Sequence, residues 1–61
     1  MIITVERAAE LMGKSKEFVR AGLRNKAFPF GTAIKHNKRW SYFISPRLFA
    51  DYLGLPYESL G

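Results

Sequence analysis

Apolar positions recur along this chain with two different periods, and the change of period divides it. Val5, Ala8, Ala9 and Met12 fall at helical spacing. Thr4 before them is an N-cap candidate, Glu6 lies in the first turn where a carboxylate suits the positive helix end, and Gly13 is a natural stop. The pattern predicts a helix over residues 5–12. Ser15 then offers a fresh N-cap for "KEFVRAGLRN". Two short helices joined by a glycine-containing turn of about three residues are the signature of a helix-turn-helix.

The second helix has two contrasting faces. At about 100° per residue, Phe18, Val19, Gly22 and Leu23 cluster on one side. Lys16, Glu17, Arg20, Ala21 and Arg24 cluster on the other. Lys16, Arg20 and Arg24 stand at i, i+4 and i+8, so three positive heads project from one stripe. Gly22, on the apolar side, costs about 1 kcal/mol against alanine in a helix, and close approach of another helix is the expected compensation.

"AFPFG" ends that helix, because Pro29 cannot continue it and pushes Phe28 towards an extended conformation. The period then drops to two. Ile34, then Trp40, Tyr42 and Ile44 recur at period two, and Asn37 lies in a tip, which predicts strands over about 31–36 and 39–44. In "SPRLFADYLG", Ser45 is an N-cap and Pro46 takes the favoured first helical position. Leu48, Phe49, Tyr52 and Leu53 give the apolar face, and Gly54 stops the helix. Residues 55–61, "LPYESLG", read as a short tail that is frayed or touches a neighbour. Residues 1–54 therefore read as one module.

Composition narrows what such a module can be. A chain of 61 residues hides only about 60% of its unfolded surface, so its core is thin. The apolar fraction of 48% still argues against disorder. With no cysteine there is neither a disulfide staple nor a thiolate metal ligand, and His36 is the only histidine, so no metal or other cofactor is expected. Catalysis has little support, since the five carboxylates show no paired arrangement. The apolar runs are too short to span a membrane, and Met1 to Thr4 lack the basic start and apolar stretch of a signal peptide. The expected compartment is the cytoplasm.

Charge changes the picture most. Residues 14–47 hold nine Lys and Arg against one acid, Glu17, so that segment carries +8 of a net +5 and the rest sums to −3. A concentrated basic field of this kind steers a polyanion and neutralises phosphates. The bland alternative is a basic surface kept for solubility. The order helix, turn, helix, two-stranded hairpin, helix describes a small α+β winged helix-turn-helix. In that geometry the second helix enters the major groove of double-stranded DNA, and the hairpin lies along the adjacent backbone or minor groove.

The stretch "TVERAAELMGKSKEFVRAGLRNKAFPFGTAIKHNKRWSYFISPRLFADYLG" resembles the small excisionase-type, MerR-like winged helix-turn-helix proteins of phages and integrative elements. Their Thr-Val/Ile-x-x-Ala-Ala start and glycine-terminated first helix are matched by Thr4, Val5, Ala8, Ala9 and Gly13. Their Gly-or-Lys, small-residue, Phe/Leu-Pro step into the hairpin is matched by Lys26, Ala27, Phe28 and Pro29. The likeness covers about residues 3 to 54. It departs in the wing, which is aromatic-rich (Trp40, Tyr42, Phe43) where many relatives are aliphatic. The resemblance implies a recombination directionality factor, without catalytic chemistry, that binds repeated sites side by side and bends DNA. The bend would help a tyrosine integrase assemble the excisive complex. The same pattern serves transcriptional regulators of mobile elements, and a protein-binding inhibitor that turns its basic face to an acidic partner is a third class.

Contacts can be assigned by type. Ser15 and Lys16 open the second helix, where N–H groups and the helix dipole favour phosphate. Arg20 is the candidate for direct base readout, because arginine reaches O6 and N7 of guanine with two parallel bonds. Arg24 would meet a base or a phosphate. Glu17 is either a first-turn acid suited to the dipole or an acceptor for a cytosine amino group. In the wing, Lys38 and Arg39 are phosphate or minor-groove contacts, with Lys35, His36 and Asn37 completing the basic tip. Trp40 and Phe18 are expected in the core. Tyr42 and Phe43 point to opposite faces of the hairpin, so one of them must be partly exposed.

Overall fold

The computed structural model describes residues 1–60. It is an α+β arrangement of three helices and one two-stranded antiparallel hairpin: α1 (Val5–Met12), α2 (Lys16–Arg24), β1 (Gly31–His36), β2 (Arg39–Ile44) and α3 (Pro46–Leu53), closed by a 3₁₀ turn at Tyr57–Leu60. Each helix starts where a side chain can take a loose N–H. Thr4 accepts from the Arg7 N–H at 3.0 Å, Ser15 from Phe18 at 3.1 Å and Ser45 from Leu48 at 3.4 Å.

The helices stop by one common device. Gly13 (φ 69°) donates to the Glu10 carbonyl while Lys14 donates back to Ala9, the paired bonds of a left-handed cap. Gly54 (φ 74°) repeats it with Asp51, and Leu55 with Ala50. At the end of α2 the same pair of bonds runs from Lys26 to Leu23 and from Ala27 to Gly22. Here the left-handed residue is Lys26 (φ 57°), not a glycine. The helix therefore ends before Pro29 can act on it.

The core is built around Phe30. Its ring stacks on Phe28 at 4.9 Å and meets Phe49 edge-on at 4.8 Å and Tyr52 at 5.0 Å. Ile3, Ala8, Ala9, Val19, Leu23, Ile44, Phe49, Ala50 and Leu60 complete the buried cluster. The neighbour that approaches Gly22 is not a helix but the Phe28 ring, which a Cβ at that position would overlap. The tail is not frayed up to Leu60: that side chain is 2% exposed within the cluster, and the Arg47 guanidinium lies 4.7 Å from the Tyr57 ring centroid. Gly61 lies outside the described residues.

The hairpin register corrects the sequence reading of its faces. Gly31 pairs with Ile44 and His36 with Arg39, so every cross-strand pair joins an odd to an even number. Partners share a face of the ribbon. Ile34, opposite Ser41, therefore turns away from Trp40, Tyr42 and Ile44 and is 63% exposed. Phe43 shares that outer face, and Tyr42 is half-buried, as the alternation requires. Along the inner face burial decays from Ile44, buried, through Tyr42 to Trp40, which is 41% exposed. Trp40 is not a core residue, because the body of the protein covers only the base of the hairpin. Phe18 is likewise 45% exposed; it leans on Phe28 at 5.9 Å with Lys14 Nζ 5.4 Å from its centroid. Leu48 and Tyr52 on α3 are exposed too. The described residues span 36 × 19 × 17 Å.

Candidate nucleic-acid interface

Two elements carry the positive charge. On α2, the Ser15 hydroxyl takes the Phe18 N–H, and the N–H groups of Lys16 and Glu17 before it have no acceptor within the helix. Lys16 Nζ lies 3.7 Å from Glu6 Oε2, a loose tie between α1 and α2 in water. Arg20 follows one turn later, half-buried, with no ion pair and no side-chain hydrogen bond among the described residues.

Arg24 has a different setting. Its Nη2 donates to Glu17 Oε2 at 2.6 Å and its Nη1 donates to the Tyr42 hydroxyl at 2.8 Å. Its guanidinium carbon lies 6.0 Å from the Trp40 ring centroid. The Glu17 carboxyl is held below its ordinary range, first by that hydrogen bond and then by the Arg24 charge. Arg24 is correspondingly more firmly protonated, through its bonds to Glu17 and Tyr42. Of the two sequence readings of Glu17, the structure adds a third: it is the counter-charge of Arg24.

The hairpin tip is a two-residue turn, Asn37 and Lys38, with Asn37 in the left-handed region at φ 58°, a conformation asparagine tolerates better than most residues. Lys35, His36, Asn37, Lys38 and Arg39 are all exposed there, and none has an ion pair among the described residues. Lys35 shares the inner face with Trp40, whereas His36 and Arg39 share the outer one, so both faces of the tip carry positive charge. Of the nine cations between residues 14 and 47, only Lys16 and Arg24 meet a carboxylate; the other seven are uncompensated among the described residues.

Because Arg24 touches Tyr42 and approaches Trp40, the cationic stripe of α2 runs beside the inner face of the hairpin. The structure thus brings Arg20 and the hairpin cations to neighbouring elements. It ties Arg24 to Glu17 and Tyr42 through two of its five N–H donors. Sequence reasoning missed that link, and the one signal for it was a tyrosine on the same strand face as Ile44. No concave pocket and no group of three metal-ligating side chains occurs among the described residues, nor is any helix there long and apolar enough to cross a membrane. What the surface offers chemically is an exposed array of hydrogen-bond donors and positive charge. No family model, curated protein or solved structure matches the chain.

Proposed function

We propose that this chain is a sequence-specific, non-catalytic protein that binds double-stranded DNA as a winged helix-turn-helix: an excisionase-type factor that occupies repeated sites, bends the DNA and assists a tyrosine integrase in the cytoplasm of a bacterial or phage-infected cell. The observation that carries the proposal is the pairing of an unpartnered Arg20 on α2 with an uncompensated cationic tip on the adjoining hairpin. A helix about 10–12 Å across fits a major groove about 12 Å wide, and a flanking hairpin then meets the backbone or minor groove beside it. The family resemblance of residues 3 to 54 supports the same reading and supplies the excision role.

In this assignment Ser15, Lys16 and the first-turn N–H groups of α2 meet phosphate, and the Ser15 hydroxyl still has its proton to donate while accepting from Phe18. Arg20 reads a base edge. Lys38 and Arg39 neutralise phosphates, with Lys35, His36 and Asn37 beside them.

The test is a footprint and bend measurement on the DNA flanking this gene and any neighbouring integrase gene. Several phased repeats protected together, with a large bend, are expected. A single unbent site over a promoter would instead make the protein a transcriptional regulator on the same fold. Absence of protection, together with affinity indifferent to salt, would overturn DNA binding and leave an acidic protein as the partner to seek.

A further inference from the structure

Arg24 stands on the stripe drawn through Lys16 and Arg20, where spacing alone makes it a third cation for a polyanion. Its contacts give it another task. Two of its nitrogens are bound, one to Glu17 at 2.6 Å and one to Tyr42 at 2.8 Å, and its guanidinium carbon lies 6.0 Å from the Trp40 ring centroid. With two of its five N–H donors taken and its side chain only 29% exposed, it has less left to turn on a phosphate than Arg20 has. Tyr42 and Trp40 belong to one face of β2, and Glu17 lies two turns back along α2. Among the described residues, the bond from Arg24 to Tyr42 is the single side-chain hydrogen bond between α2 and the hairpin.

The lever it governs is long. A six-residue strand extends about 20 Å, so a rotation of about 10° at its base moves the tip by about 3.5 Å. That exceeds the tolerance of a hydrogen bond, so a cation at the tip meets its phosphate only if the base is held. We propose that Arg24 is a positioning residue that acts on DNA through the hairpin: held by Glu17 and Tyr42, it sets where Lys38 and Arg39 stand relative to α2. This rests on the DNA-binding reading above.

The experiment is a double-mutant cycle on one duplex containing a footprinted site, with melting curves showing that each variant is folded at the assay temperature. Its corners are the full chain, Arg24→Ala, the pair Lys38→Ala with Arg39→Ala, and all three together. Arg24→Ala alone is expected to weaken binding by about five- to tenfold, but by less than about twofold once Lys38 and Arg39 are gone. Tyr42→Phe, which keeps every charge, is expected to reproduce most of the Arg24→Ala loss while leaving sequence preference unchanged.

Losses that simply add would show that Arg24 touches DNA itself and overturn the proposal, as would a Tyr42→Phe variant that binds like the parent. Salt-independent or absent binding by the parent chain is a separate result. It overturns the DNA reading, and this inference with it.

Discussion

Glu17 and Arg24 share a hydrogen bond that changes the proton affinity of both. The carboxyl is shifted down from an ordinary value of about 4.5, so the pair stabilises the fold above that pH and the contribution fades as pH falls through the lowered value. Glu17→Gln is therefore expected to lower the melting temperature slightly at pH 7, and the gap from the parent should close on acidification once Glu17 is protonated. Melting curves across that range check it; a gap that widened in acid would assign the wrong sign. Arg20 and the tip cations differ in a way binding can resolve. Replacing Arg20 with alanine should relax preference at one base pair by about 1–3 kcal/mol. Replacing Lys38 and Arg39 with alanine should weaken binding to all sequences alike and flatten the salt dependence, each lost phosphate contact removing about 0.9 from the log–log slope. If the tip variants changed sequence preference and Arg20→Ala did not, the roles of α2 and the hairpin would be exchanged.

The end of α2 is where local energetics are least settled. Lys26 holds a left-handed conformation that costs an L-residue about 1–2 kcal/mol and costs glycine nothing comparable. Lys26→Gly should thus stabilise the chain by about 1 kcal/mol, raising the melting temperature by about 4–8 °C in a domain this small. Gly22→Ala pits two effects against each other. Alanine favours the helix by about 1 kcal/mol, but its methyl would overlap a Phe28 ring held by Phe18, Phe30 and Tyr52. Overpacking typically costs about 1–3 kcal/mol, so a net loss is expected in a urea titration. The element boundaries themselves were legible, because caps are local chemistry: Thr4, Ser15, Ser45, Pro46, Gly13 and Gly54 announce them within a few residues. Facing was not. Ile34 looked like a partner of Trp40 and Tyr42 because period two assigns alternation within a strand, whereas the two-residue tip decides which faces of two strands coincide. Trp40 was misread for a related reason. Alternation says which way a side chain points, not how far the body beneath it extends.

Phe30 and Leu60 escaped notice because an isolated apolar residue in a connection has no period to betray it. Both are among the largest fully buried side chains, and Leu60 lies beyond the last α-helix. A core this small supplies about 3–5 kcal/mol of net stability, while leucine-to-alanine changes in cores cost about 2–5 kcal/mol. Leu60→Ala is therefore expected to unfold a large fraction of the population at room temperature, visible as lost helical circular dichroism and a lost cooperative melt. Retention of a sharp melt within a few degrees of the parent would show that the closing turn is dispensable. The candidate interface was more legible than the core, since charge needs no packing to be counted. Ser15, Lys16, Arg20 and the tip residues could be named from spacing alone. The fate of Arg24 could not, because Tyr42 is 18 residues away and only the folded chain brings the two together.

Ile3 and Leu60 belong to one buried cluster, so the first and last described turns of the chain close the same core. A ribosome that has not yet released residue 60 holds a chain whose core is open, however complete its helices. A cut anywhere between them leaves the two ends of that core on separate pieces, joined by packing alone.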